Sequence, residues 1–220
     1  MRGLLLRADD VLRHRGGALS AEGLSGRLAL IVVFGMFYGA VMGSFGGISG
    51  DRPWQILYSA LKVPLMLLVT FAISLPSFFV LNTLLGLRDD FRAALAAVIS
   101  TQAGMAIVLA ALAPLTVTWY ASHGGYSAAL VFNGLMFLVA SASAQFVLRG
   151  YYRPLIARSP KHRWLASAWL VVYSFVAIQM AWVLRPFIGS PTNPVEFFRS
   201  DAWDNAYVIV LRLAWNVFVR

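Results

Sequence analysis

Residues Leu28–Phe45 read LALIVVFGMFYGAVMGSF, an apolar run without a charged side chain. An α-helix of roughly 20 such residues crosses a hydrocarbon core of about 30 Å. Hydrophobic residues make up 60% of the 220-residue chain and charged residues only 12%, which is too apolar for a soluble domain of this length. Four more runs follow: Val63–Leu85, Ala93–Tyr120, Ser127–Leu148 and Trp164–Leu184. The sequence therefore predicts an all-α, polytopic transmembrane helix bundle with about five spans, over residues 28–186.

The first run also carries glycines four residues apart, at Gly35, Gly39 and Gly43. Residues at this spacing share one helix face, and a face without side chains lets another helix approach closely. Ala97 and Gly104 belong to a second small-residue stripe in the third run. Both stripes predict close helix packing. They leave open whether the partner is another span, a second copy of the chain or a different subunit.

The basic residues are concentrated in alternate loops. One group precedes the first run (Arg2, Arg7, Arg13, Arg15 and Arg27), and another lies between the fourth and fifth runs (Arg149, Arg153, Arg158, Lys161 and Arg163). Basic loops remain on the cytoplasmic side of a membrane, so we predict a cytoplasmic N-terminus. The second group is expected to contact anionic lipid headgroups, which explains the net charge of +9 without a nucleic acid partner.

Residues 1–27 lack the apolar core of a cleavable signal peptide. Apolar residues recur there at helical spacing, with charged residues between them: Met1, Leu4, Leu5, Ala8, Val11 and Leu12. This pattern predicts a basic amphipathic helix on the cytoplasmic membrane surface. The alternative interpretation is a frayed tail.

The predicted spans lack the groups that usually perform chemistry inside a membrane. All nine acidic residues and the three histidines, His14, His123 and His162, fall in tails or loops, and the chain has no cysteine. The spans therefore offer no carboxylate pair, no proton relay and no axial ligand for haem. We predict a protein that is not an enzyme and that needs no cofactor and no metal ion.

A few polar residues do lie within the runs or beside them. Lys62 follows Trp54–Leu61, a segment expected in the interface, so its ammonium is predicted to extend to the headgroups. The alternative is a buried functional cation. Amides within the runs are expected to hydrogen-bond between helices. A different interpretation is a polar route lined by Lys62, Gln102, Asn133, Gln179 and Arg185.

The last predicted span leaves the membrane through Trp182, Arg185 and Pro186. Trp and Arg favour the membrane boundary, and proline ends a helix. Residues 187–204 then hold Phe197, Phe198 and Arg199 among prolines, and exposed phenylalanines would face water. We predict an ordered cap on the outer face, with a loose anchored loop as the alternative. Residues 205–220 indicate an amphipathic interfacial helix or a short sixth span.

The stretch DRPWQILYSALKVPLMLLVTFAISLP, residues 51–76, and the layout of closely spaced spans after a basic N-terminus resemble the Yip1-type integral membrane proteins. The resemblance covers roughly Asp51 to Leu148 and includes no catalytic motif. The ending WVLRPFIGSP…EFFR…WDNAY is similar to that of a group of uncharacterised bacterial inner-membrane proteins. These resemblances imply a bacterial inner-membrane location and a role in membrane organisation with protein partners.

Two functions are predicted from these patterns. The first is a non-enzymatic scaffold or accessory subunit of a membrane protein assembly, which contacts other subunits, or a second copy of itself, through the glycine face and the outer cap. The second is a channel or facilitator for anions or small polar solutes along the polar residues. The lipid bilayer is the partner that both functions require.

Overall fold

In the computed structural model the chain forms an all-helical bundle, which confirms the predicted fold class. The structure describes residues 2–14, 21–122, 124–190, 194–199 and 207–208. The helices are α1 (Arg2–Leu12), α2 (Ala21–Gly43), α3 (Arg52–Leu84), α4 (Phe91–Ser122), α5 (Tyr126–Arg158) and α6 (Lys161–Val183), with a 3-10 turn at Arg88–Asp90. Within the described residues, α2 to α6 are long and apolar enough to cross a membrane. The protein is therefore an integral membrane protein.

Short connections between the helices make consecutive spans antiparallel, so the bundle has two distinct ends. The basic end holds α1, the α3–α4 connection and the α5–α6 connection. The cap end holds the α2–α3 and α4–α5 connections and the segment after α6. We call residues 186–190 and 194–199 of that segment the cap. The predicted helix at 205–220 lies outside the described residues, apart from positions 207 and 208.

The central helix of the bundle is α4, which packs on α2 and α5. Its alanines and glycine allow this close packing, because an added Cβ at Gly104 would lie 3.1 Å from a methyl group of Val147 on α5. Ala97 is buried in the apolar cluster at the basic end, together with Leu148 and Tyr152 of α5. Small residues in α4 therefore meet α5 within the same chain.

The glycine face of α2 lies against α3. An added Cβ at Gly39 would overlap the Ser59 carbonyl oxygen, and one at Gly43 would lie 2.8 Å from the Gln55 carbonyl oxygen. At Gly35 the nearest atoms belong to Pro64, at 3.3 Å. Because α3 occupies this face, a second copy or another subunit has no access to it. The prediction that the glycine face contacts another protein is therefore wrong.

The segment Trp54–Leu61 is expected from its sequence to lie in the interface, as a lead-in to the second span. It instead forms the first turns of a continuous α3, in which Gln55, Ser59 and Ala60 are buried. The burial follows from two neighbours, the glycine face of α2 on one side and the cap on the other. Polar residues in these turns therefore bond to the protein rather than to headgroups.

The N-terminal segment contains a helix, α1, that packs on the basic end against α2 and α4. Ala8 and Val11 are buried in this contact, whereas Leu5 and Leu6 are more than half exposed. Only part of the predicted apolar stripe therefore faces the bundle. The exposed leucines leave a second apolar edge toward the membrane surface.

The close contact between α2 and α3 predicts that one added methyl group at Gly39 destabilises the bundle. Replacing Gly39 with alanine should force the two helices apart and lower the melting temperature of the detergent-solubilised protein, at a cost of about 1–3 kcal/mol. The matched control is Gly134→Ala on α5, where an added Cβ meets no atom within 4 Å. Equal melting temperatures for Gly39→Ala and the unmodified chain would contradict the packing.

Candidate functional site

A line of polar side chains on α3 binds the cap. Arg52, Gln55, Ser59 and Lys62 are spaced by three, four and three residues and so share one helix face. Each donates a hydrogen bond to a backbone carbonyl that follows α6. Arg52 Nη1 lies 3.3 Å from the Ser190 oxygen, Gln55 Nε2 lies 3.3 Å from the Phe187 oxygen, and the Ser59 hydroxyl donates to that same oxygen. We call these four residues the α3 ladder.

Lys62 is the innermost member of the α3 ladder, and its side chain is fully buried. Its Nζ donates to the Pro186 carbonyl oxygen at 2.8 Å and lies 4.9 Å from the centre of the Phe197 ring. A carbonyl dipole and an aromatic face both stabilise an ammonium group. The prediction that Lys62 extends to the headgroups is wrong, because acceptors within the protein lie closer.

The cap lies directly over the α3 ladder. Ile188 is buried at 1% exposure, and an added Cβ at Gly189 would lie 2.9 Å from Arg52 and from Gln55. The Phe197 ring packs edge-on against Tyr58, with 5.3 Å between the ring centres. Phe198 packs on Phe197 and remains partly exposed. The described part of the cap therefore packs against α3.

One arginine precedes the cap and another is its last described residue. The helix α6 ends at Val183, and the Arg185 guanidinium then lies 3.4 Å from the centre of the Trp182 ring. Arg199 follows the two phenylalanines and lies near enough to Lys62 for electrostatic repulsion. Arg185 and Arg199 thus lie at the same end of the bundle.

A cleft lies beneath the cap, between α3, α4, α5 and α6. It consists of a cavity of about 510 Å³ next to the cap and a cavity of about 300 Å³ nearer the basic end. Both are lined by the same middle residues: Met66, Met105, Ser141, Ala177 and Ile178. The two volumes fall in the range of about 300–1,000 Å³ that is typical of ligand sites.

The cleft opens sideways, between α5 and α6. Leu130 on α5 and Ile178 on α6 line it and are about half exposed, at 46% and 52%. These two helices make few contacts with each other, since α6 packs chiefly on α3. In a membrane this opening faces the hydrocarbon chains of lipids.

Most polar side chains near the cleft are already bonded within the chain. Asn133 accepts a hydrogen bond from Tyr38 at 3.1 Å and donates one to Tyr120 at 2.7 Å. The oxygen of Gln102 accepts from Tyr173 at 2.8 Å. Gln102 and Asn133 therefore connect helices, although both also line the cleft.

The predicted polar route is only partly assembled. Gln102, Asn133 and Arg185 line the cleft, whereas Lys62 and Gln179 are not among its lining residues. Lys62 is covered by the cap instead. The remaining lining is dominated by aliphatic and aromatic side chains, so a continuous polar path along these five residues is not present.

One hydroxyl group in the cleft differs from its neighbours. Ser74 and Thr101 donate to the carbonyl oxygen four residues earlier, as hydroxyls in membrane helices commonly do. Thr70 is completely buried and lines the cleft, yet its Oγ1 has no hydrogen-bond partner among the described residues. A buried hydroxyl without a partner lowers the stability of the fold.

The basic end contains a cluster of interacting side chains that the sequence does not reveal. Asp90 accepts from Arg158 at 3.1 Å and lies 3.1 Å from Nε2 of His162, while Lys161 donates to the Leu85 carbonyl oxygen at 3.2 Å. The sequence pattern places His162 in a loop. It is instead fully buried in the first turn of α6, which begins before the predicted span.

This cluster changes the interpretation of the basic loop. Arg158 and Lys161 bind the α3–α4 connection and so join helices, in addition to any contact with headgroups. Arg153 and Arg163 are exposed, and the Arg149 guanidinium lies 5.8 Å from the centre of the Phe146 ring. These three remain available to anionic headgroups, as predicted for the whole group.

Comparisons of the chain with protein-family models, with curated proteins and with solved structures found no match. The resemblance to Yip1-type proteins therefore stays a prediction. The site has to be judged on its geometry and chemistry, because a fold alone does not determine a function.

The hydrogen bond from Lys62 to the Pro186 carbonyl oxygen predicts that loss of the ammonium group loosens the cap. Lys62→Met keeps most of the side chain and removes the donor, which should release the cap. Because the chain has no cysteine, Ile188→Cys introduces a single thiol at a buried cap position. We expect a membrane-impermeant maleimide to label it about tenfold faster in the Lys62→Met background, since a hydrogen bond to a charged group contributes about 1.5–3 kcal/mol.

The control for this experiment is Lys161→Met, which removes a lysine-to-carbonyl bond at the opposite end of the bundle. It should leave the labelling of position 188 unchanged. Identical labelling rates in the Lys62→Met and Lys161→Met backgrounds would show that Lys62 does not hold the cap.

Asp90 gives a separate prediction at the basic end. Asp90→Asn removes the negative charge that pairs with Arg158 and His162, and it leaves the buried imidazole next to a weaker, uncharged amide. We expect a loss of about 1–3 kcal/mol, seen as a lower melting temperature in detergent. The neighbouring Asp89 is exposed, so Asp89→Asn should have no such effect. Equal effects of the two substitutions would argue against the cluster.

Proposed function

We propose that this membrane protein binds a lipid-like molecule in the cleft between α3, α4, α5 and α6. The observation that supports the proposal is an apolar cleft of ligand size that opens sideways between α5 and α6. Water gains little in such a lining, whereas a hydrocarbon chain gains dispersion contacts and loses no hydrogen bonds. A lipid enters from the bilayer without passing either end of the bundle.

The composition of the cleft also supports binding rather than catalysis. None of its described lining residues is an acid or a histidine, and no cluster of three metal-binding side chains exists among the described residues. A convergent set of acid, base and nucleophile therefore cannot be assembled from the described lining. We propose a non-enzymatic function, such as holding, presenting or sensing the bound molecule.

A role as scaffold or accessory subunit stays a prediction. The glycine face cannot serve it, since α3 covers that face. The cap remains a candidate contact surface, because Phe198 is exposed beside Arg199. Gentle extraction from the native membrane, followed by identification of proteins that co-purify, tests this role independently of lipid binding.

The channel function has less support. A route for anions or polar solutes needs polar groups along its length, and the amides of Gln102 and Asn133 are bonded within the chain. Liposomes with and without the protein should therefore show the same flux of anions and small solutes.

Lipid binding predicts the effect of filling the cleft. Ala177 lies in the part that both cavities share, so Ala177→Phe should displace a bound chain. We expect native mass spectrometry from mild detergent to show lipid adducts on the unmodified chain and few on this variant. The matched control is Ala142→Phe on the exposed side of α5. Adducts that persist equally on both variants would overturn the proposed function.

A further inference from the structure

We propose that the molecule bound in the cleft is an uncharged lipid whose polar part presents carbonyl oxygens to the cavity nearer the basic end. This inference rests on the proposed function and adds the chemical class of the ligand. The carbonyl oxygens accept hydrogen bonds from the amides of Gln102 and Gln145. The hydrocarbon chain extends past Ala177 and Ile178 into the cavity next to the cap.

The absence of charge in the cavity nearer the basic end is the first argument. Its described lining residues include no aspartate, glutamate, lysine, arginine or histidine. A charged headgroup placed there would leave water without gaining a counter-charge, which is strongly unfavourable. The polar part of a ligand in this cavity is therefore uncharged.

Two amides on the wall of this cavity supply the second argument. The oxygen of Gln102 accepts from the Tyr173 hydroxyl at 2.8 Å, which is the one side-chain hydrogen bond of Gln102 among the described residues. Its amide nitrogen therefore keeps its N–H donors for another acceptor, although the residue is only 5% exposed. The amide of Gln145, on α5, lines the same cavity and has no hydrogen-bond partner in the described part of the chain.

Two hydroxyl groups on the same wall are also without a partner among the described residues, Thr70 on α3 and Ser174 on α6. A hydroxyl group can donate or accept, but an amide nitrogen only donates. A carbonyl oxygen accepts from the amide nitrogens and, unlike an alcohol, brings no further donor that needs its own acceptor. The wall therefore matches a ligand with carbonyl oxygens.

The depth of these polar groups is the third argument. They come from four different helices, and each lies near the middle of its helix: Thr70, Gln102, Gln145 and Ser174. In a membrane this level is occupied by hydrocarbon, so neither water nor headgroups supply an acceptor there. A lipid that enters between α5 and α6 brings its own acceptor to this depth.

The proposal is tested with two lipids that differ only in their carbonyl groups. Diacylglycerol and the dialkylglycerol ether with chains of the same length are both uncharged and share one hydroxyl group, but the ether lacks the two ester carbonyls. The purified protein in mild detergent is given equal amounts of both, and native mass spectrometry measures the ratio of the two adducts. We expect the ester to exceed the ether by about two- to tenfold, the factor that corresponds to one uncharged hydrogen bond.

The variant that tests the site is Gln145→Leu with Thr70→Val, which should lower the ratio toward one. Neither side chain forms a hydrogen bond among the described residues, so their replacement should not lower the melting temperature of the lipid-free protein. The matched control is Thr116→Val, at a buried threonine of α4 that lines neither cavity. It should keep the ratio of the unmodified chain.

A second competition distinguishes two sources of carbonyl oxygens. Diacylglycerol carries them in its esters, whereas an isoprenoid quinone carries them on a ring without a donor. With equal amounts of both lipids, a more abundant quinone adduct assigns the site to the ring, and a more abundant diacylglycerol adduct assigns it to the esters.

The outcomes separate the ligand class from the proposed function. If ester and ether bind equally and Ala177→Phe removes both, the cleft binds lipid but the carbonyl class is overturned. If Ala177→Phe removes neither lipid, the proposed function itself fails. Stronger binding of phosphatidylglycerol than of diacylglycerol with the same chains would overturn the uncharged class. A ratio that Thr116→Val lowers as much as the double variant would overturn the contact with Thr70 and Gln145.

Discussion

The Lys62 ammonium lies in the interior of the bundle and donates to the Pro186 carbonyl oxygen, which is the innermost of the bonds that join α3 to the cap. An ammonium group that is removed from water needs an acceptor, and the chain after α6 supplies it. The α3 ladder then aligns the following carbonyls, and the glycine face of α2 supports α3 from the other side. The position of Arg199, the last described residue of the cap, follows from how the cap is held.

Much of the bundle could be predicted from the sequence, because long apolar runs must be kept from water and glycines spaced by four leave one helix face bare. The predictions that were wrong concern contacts between residues that are far apart in the sequence. Lys62 is expected at the headgroups because no acceptor near it is visible in the sequence. The spacing of Arg52, Gln55, Ser59 and Lys62 was the available signal, since four polar residues on one helix face indicate a polar neighbour.

The cleft could not be predicted for a different reason. A cavity arises where helices diverge, and α3 and α4 make few contacts with each other although both pack against other spans. Side-chain size alone does not reveal such divergence. The amides drew attention to the right region, but Gln102 and Asn133 bond to tyrosines on other helices, which the sequence does not pair. His162 was missed because α6 begins at Lys161, three residues before the predicted span.

The helix α6 is attached to the bundle mainly at its basic end and, near its middle, by the hydrogen bond from Tyr173 to Gln102. At the basic end His162, Leu165 and Trp169 are buried, at the cap end Leu184 is buried, and only 6% of its apolar window is buried inside the protein. Most of the apolar surface of α6 is therefore left to lipid rather than to other helices, and α6 forms one wall of the side opening of the cleft. The lipid that surrounds this helix is thus part of the boundary of the site.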